Sequence, residues 1–185
     1  MTTRCERREV YTVSVNTRYV VSPSSNNSFV AYINIPLRNV VRAELVSASI
    51  HPAANTSAVV YMHVAELVDK FHDRATLKYQ QTVSGLLSNT GSVSQVSSNA
   101  GYLAESLMVY PINAADLDLA SVNTPRVVYR SMSDFPVVAD FIEPIRRLDK
   151  LTVNMFADTG AAFLTAAPTF LTFRFECAKD NVCLY

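Results

Sequence analysis

The sequence predicts an all-β domain built as a sandwich of two antiparallel sheets. Apolar residues recur with period two in a series of short segments. Pro- and Ser-rich connections separate those segments, and stripes with helical spacing are nearly missing. The chain has 185 residues, the size of one domain. Apolar residues make up 49% and charged residues 17%. That balance excludes a disordered chain and permits a hydrophobic core without metal or disulfide support. The single domain runs over 1–185, with an N-terminal arm at 1–9 and a loop rich in Ser, Gly and Asn at 84–101.

The strand candidates follow in order. In residues 10–15, Tyr11, Val13 and Val15 share a face. After the polar break at 22–28, Phe29, Ala31, Ile33 and Ile35 share a face, with Val30, Tyr32 and Asn34 opposite. Val41, Ala43 and Leu45 then point one way, with Arg42 and Glu44 opposite, before Val46, Ala48 and Ile50 take up the pattern. A one-residue slip of this kind predicts a bulge or a bend between sheets. Residues 59–64 are apolar on both faces and should be covered on both sides. Residues 107–112, 126–130 and 136–142 are further short candidates. Leu151, Val153 and Met155 alternate with Thr152 and Asn154, and Leu171, Phe173, Phe175 and Cys177 alternate with Thr172, Arg174 and Glu176. The best helical stripe, Leu67, Val68, Phe71 and Leu77 within 65–81, is broken by Asp73 and Arg74. Residues 116–120 suit at most one helical turn. Eight to nine short strands joined by long connections suit a single jelly-roll sandwich, whose strands cross between sheets, better than an up-and-down barrel.

Sixteen basic residues balance sixteen acidic ones, for a formal net charge of zero. No basic excess is available to neutralise a nucleic-acid backbone, so nucleic acid is not an expected partner. A near-neutral chain also lacks the self-repulsion that keeps monomers apart. No apolar run has the length of a membrane span. The charged start, Met1-Thr-Thr-Arg-Cys-Glu-Arg-Arg-Glu9, is followed by no hydrophobic segment of the secretory kind, so synthesis in the cytosol is expected.

No catalytic constellation emerges. His51, His63 and His72 read as isolated surface or rim residues, with no His-x-His pair and no cysteine at ligand spacing. Gly-x-Ser-x-Gly, Gly-x-Gly-x-x-Gly and the phosphate-loop pattern are missing. Asp134, Asp140, Glu143, Asp149 and Asp158 read as solvated loop charges. No catalytic residue, metal ligand or cofactor site is assigned, and an enzyme is not expected. Of the cysteines Cys5, Cys177 and Cys183, Cys177 lies in phase with an apolar strand face and reads as a buried thiol. A disulfide between Cys177 and Cys183 is the alternative.

Two stretches carry a resemblance. The first combines Arg8-Glu-Val-Tyr-Thr-Val-Ser-Val with Asn27-Ser-Phe-Val-Ala-Tyr-Ile-Asn-Ile-Pro-Leu-Arg-Asn-Val-Val-Arg-Ala-Glu-Leu-Val-Ser-Ala-Ser-Ile50. The second combines Phe141-Ile-Glu-Pro-Ile-Arg-Arg-Leu-Asp-Lys-Leu-Thr-Val-Asn-Met-Phe-Ala-Asp-Thr-Gly160 with Phe170-Leu-Thr-Phe-Arg-Phe-Glu176. Together they resemble the single jelly-roll penton and minor capsid proteins of large icosahedral double-stranded DNA viruses. The resemblance implies a structural capsid protein, most simply a penton protein forming a homopentamer at the vertices. It implies contacts with the major capsid protein and other minor capsid proteins, assembly in the host cytoplasm and residence in the virion. Two alternatives stand beside it. One is a minor capsid protein bracing the major capsomers; the other is a carbohydrate- or receptor-binding module using Tyr102, Tyr110 and Tyr129.

Overall fold

Segments that hide every second side chain from water make strands, and in this chain they pair into one antiparallel sheet that curls upon itself. The computed structural model describes residues 7–20, 23–52, 59–70, 106–111, 126–157 and 161–179. The strands are β1 (Arg7–Asn16), β2 (Pro23–Ser25), β3 (Ser28–Ile50), β4 (Val59–Val64), β5 (Met108–Pro111), β6 (Val127–Arg130), β7 (Val137–Ala157) and β8 (Phe170–Lys179). Short 3-10 turns occupy Thr17–Tyr19 and Ala65–Lys70. The latter stands where a helical stripe begins in the sequence; 71–81 lie outside the described residues, as do the 84–101 loop and 116–120. No described helix is long and apolar enough to cross a membrane.

The sheet runs β1-β8-β3-β7-β4-β5, with β2 and β6 also paired to β3. Two strands are far longer than the sequence segments from which they come. β3 joins the candidates at 29–35 and 41–50 through Pro36, and β7 joins 136–142 to 151–155 through Pro144. Each works in two places. The first part of β3 (28–32) pairs with the last part of β7 (150–154), whose other edge carries β4 and then β5. The last part of β3 (42–45) pairs with the first part of β7 (137–140) and, on its other edge, with β8 and then β1.

Irregularities in the ladder permit this division. Tyr32 is opposite Lys150 and Leu37 opposite Leu148, so residues 33–36 face Asp149 alone. Val40 is opposite Ile145 and Arg42 opposite Asp140, so residues 141–144 face Val41 alone. Each strand thus bulges once, on either side of the short shared ladder 37–40 with 145–148, and strands commonly change sheet through bulges of this kind. Each bulge contains a proline, tolerated where no ladder hydrogen bond is required. Between them Asn39 has φ 52°, a left-handed value that asparagine adopts more readily than most residues.

Burial follows these irregularities. The buried apolar residues of β3 run Phe29, Ala31, Leu37, then Val40, then Ala43 and Leu45, then Ala48 and Ile50. Their phase reverses at Asn39, at Val41 and at Val46. The last two coincide with register shifts against β8. The slip expected between Leu45 and Val46 is therefore present, and a second one lies five residues earlier at Val41. β4 is covered on both faces, with Val60, Met62, His63 and Val64 all buried.

One apolar cluster unites both parts of the sheet: Leu45, Phe173 and Phe175 from one side, with Met62, Leu151 and Met155 from the other. The rings of Phe173 and Phe175 lie 6.0 Å apart in a stacked arrangement. A polar latch closes one end. Thr17 N–H donates to the Thr169 carbonyl at 3.1 Å, and Thr169 N–H donates back to Thr17 Oγ1 at 2.9 Å. Asn26 takes both hydroxyls, Thr17 on its side chain at 2.9 Å and Thr169 on its backbone carbonyl at 3.0 Å. Both threonines are buried and need these partners.

Phe173→Ala should cost about 3–5 kcal/mol in guanidinium unfolding, the usual loss for an emptied aromatic site in a core. Asn39→Val should cost about 1–2 kcal/mol because a β-branched residue resists a left-handed backbone, whereas Asn39→Gly should be close to neutral. Equal costs for the two substitutions would contradict the conformation assigned to residue 39.

Candidate interaction surfaces

The residues singled out for chemistry are dispersed. Asp140 pairs with Arg42 at 3.4 Å, and Asp149 with Arg147 at 3.5 Å. Asp134 accepts the Arg130 N–H at 2.6 Å. Asp158 and His72 lie outside the described residues. His63 is buried within β4 and so is not the surface or rim residue expected, because both faces of that strand are covered. His51 is half-buried just past the end of β3, and burial, then the nearby Arg126 charge, hold its imidazole below the ordinary value. Among the described residues no three His, Cys, Asp or Glu side chains are grouped so as to hold a metal ion.

Cys177 is buried near the end of β8. Burial is the main influence pushing its thiol up, and the Glu9 charge adds to it. Cys183, the partner considered for it, lies outside the described residues, as does Cys5. Tyr129 is buried, and its ring meets Tyr110 edge-on with centroids 5.9 Å apart. Neither ring is set out in a groove as a sugar platform would be; Tyr102 lies outside the described residues.

Across β1, β8, β3 and β7 the charges interlock. Arg8 meets Glu176 at 2.9 Å, Arg42 reaches Glu176 at 4.0 Å and Asp140 at 3.4 Å, and Arg174 meets Glu44. Each exposed pair is worth little alone. Together they set alternating charge across four strands, and that makes poor ground for an apolar partner.

Two other places differ. The first is the connection between β6 and β7, residues 131–136. Sequence patterning left Met132 and Phe135 unremarked, although they are large apolar residues inside a Ser- and Asp-rich turn. Met132 is 99% exposed and Phe135 85%. The backbone beneath them is nonetheless tightly held. Ser133 and Asp134 N–H groups donate to the Arg130 carbonyl at 3.1 and 2.8 Å, and Ser131 N–H donates to Val46 at 2.9 Å. The Tyr129 hydroxyl donates to the Phe135 carbonyl at 2.9 Å and accepts the Val137 N–H at 2.9 Å. A buried phenol thus clamps the last turn of the loop, and its burial raises its pKa above the ordinary value.

The second place is a cleft of about 370 Å³ where β8 parts from β3. Val40 opposite Cys177 is the last pair of that ladder. Beyond it β3 veers away through its bulge while β8 continues beside β1 as far as Arg7 opposite Lys179. Ile35, Pro36 and Leu37 form one wall, Tyr11 and Cys177 the other, with Arg38 alongside. Ile35 is 78% exposed. Glu9 accepts from the Tyr11 hydroxyl at 2.7 Å and from Lys179 at 2.7 Å. That hydrogen bond, and then the Glu9 charge, raise the Tyr11 phenol above its ordinary value. Among the described residues no acidic side chain pairs with Arg38, and its cross-strand neighbour is another arginine, Arg147.

No protein-family model and no curated protein matches the chain.

Tyr129→Phe should lower stability by about 1–3 kcal/mol, because the Val137 N–H loses its acceptor. It should also speed amide exchange at Val137. Unchanged exchange there would remove the clamp from the account. His51 favours its neutral form in the fold, so the folded state binds fewer protons than the unfolded one as pH falls through the ordinary histidine range. Stability should therefore drop from pH 7 toward pH 5, and His51→Gln should flatten that slope in paired urea titrations. A slope that is the same in both proteins would refute the assignment.

Proposed function

We propose that the chain is a structural capsid protein of a large icosahedral DNA virus, folded as a single jelly roll and forming a homopentamer at the particle vertices. One observation carries the proposal, the nesting of the strand pairs. With the short strands β2 and β6, which lie off the main path of the sheet, set aside, counting β3 and β7 as two segments each gives eight segments in chain order: β1, the two parts of β3, β4, β5, the two parts of β7, and β8. First pairs with last (β1 with β8), second with seventh, third with sixth, and fourth with fifth (β4 with β5). The lateral joins of β8 to late β3 and late β7 to β4 then roll this long double ribbon. The resulting orders are first-eighth-third-sixth and second-seventh-fourth-fifth. Two four-strand groups in these orders are what a jelly roll of the viral capsid and lectin kind requires, and that agreement supports the reading.

Fold alone does not choose among the functions a jelly roll hosts. The resemblance of residues 8–15, 27–50, 141–160 and 170–176 to penton and minor capsid proteins favours the capsid. A wedge-shaped domain repeated about an axis through unlike surfaces closes a ring, which suits a vertex. Binding to the major capsid protein around the rim of that ring completes the proposal.

Native mass measurements over a range of concentrations, paired with class averages from negative-stain microscopy, test it. The expected outcome is a discrete species near five times 20.4 kDa with five-fold averages. A protein that stays monomeric throughout, or that stops at a two-fold dimer, would overturn the vertex assignment.

A further inference from the structure

The 131–136 loop and the β8–β3 cleft complement each other, and no single chain can bring its own two together. The loop is tied to Val46, and Arg130 beside it is opposite Ser47. The cleft begins at Val40 and Leu37 on the same strand. Eight residues of strand separate Val46 from Arg38, a span of up to about 26 Å at 3.3 Å per residue. They also lie on opposite flanks. Ser47 pairs with Arg130 of β6 on one side and with Thr172 of β8 on the other, and the cleft is on the β8 side.

We propose that Met132 and Phe135 of one copy seat in the cleft of a second copy, against Ile35, Pro36, Leu37 and Tyr11. Four features recommend this occupant. Met and Phe are enriched at interfaces, and here both stand almost wholly in water. Their backbone is already ordered by its own hydrogen bonds, so little entropy is lost on docking. The cleft volume of about 370 Å³ lies within the range of about 300–1,000 Å³ that accommodates drug-sized ligands and therefore an aromatic ring. Charge agrees as well: Asp134 lies between the two apolar residues in the sequence, and of the cleft's charged residues Glu9 is already paired with Lys179 while Arg38 has no acidic partner among the described residues. A tip docking into a pocket elsewhere on an identical molecule is a heterologous contact, the kind that propagates around a ring. The proposal deepens the capsid reading and rests on it only in requiring that copies of the chain meet.

Three measurements on the full chain test it. Met132→Ser with Phe135→Ser should leave the circular dichroism and melting of the monomer unchanged, since both side chains are exposed. It should weaken self-association by at least about tenfold, as loss of a central anchor does. Arg38→Asp should weaken association, and mixing it with Asp134→Arg should restore hetero-association. A photo-crosslinking phenylalanine at position 135, in a mixture of isotopically light and heavy copies, should form light–heavy links to residues 35–38. An oligomer that persists in the double-serine variant, or inter-copy links that fall elsewhere, would overturn this interface and leave the ring proposal standing. Strictly monomeric wild-type protein with no inter-copy link would overturn both.

Discussion

The fold depends on two strands turning a corner together. β3 and β7 supply the ladder on both sides of the core, and they do so because each bulges where the other runs straight. The segment they share, 37–40 with 145–148, is the hinge line of the sheet. Leu37, Val40 and Leu148 are buried along it, so the corner packs on its own apolar contacts. Without the bulges the paired strands would continue flat, and the sheet could not curl to bring β8 and β1 into one apolar core with β4 and β5. A single register error would also carry buried residues to the solvent face.

That corner explains which parts of the fold the sequence disclosed. Period two is a local signal, and it located the strand segments well: Phe173 and Phe175 on β8, Val13 and Val15 on β1, Leu151 and Val153 on β7. Continuity across a bulge is not local. Pro36 and Pro144 read as breaks, because a proline interrupts a flat ladder, yet both sit where the chain needs no ladder bond. The phase slip at Val46 showed because apolar residues flank it closely. The one at Val41 did not, since Val40 and Val41 are both valine and either satisfies the pattern. β2 is too short and polar to stand out from its Ser- and Asn-rich surroundings.

The interaction surfaces were less legible for a related reason. An apolar residue in a sequence says that water is unfavourable, not which solid surface replaces it. Met132 and Phe135 became informative only when the hydrogen bonds of Tyr129, Arg130 and Val46 showed a rigid loop holding them outward. Arg38 became informative only when the register placed Arg147 across from it. The cleft itself is built from Glu9, Tyr11 and residues 35–39 and 177–179, which only the curled sheet assembles.

The nested pairing has a consequence in time. β1 spans Arg7–Asn16 and its partner β8 spans Phe170–Lys179, so the first strand described must wait for the last. During synthesis no portion that stops short of β8 can complete the core; β1 lacks its partner strand until β8 has left the ribosome. Closure of so long a loop is slow, and slow closure exposes strands to wrong partners. The inner pair, β4 with β5, can form first and the ribbon can zip outward from it. A chain organised this way ripens from its middle, and its two outermost strands meet last.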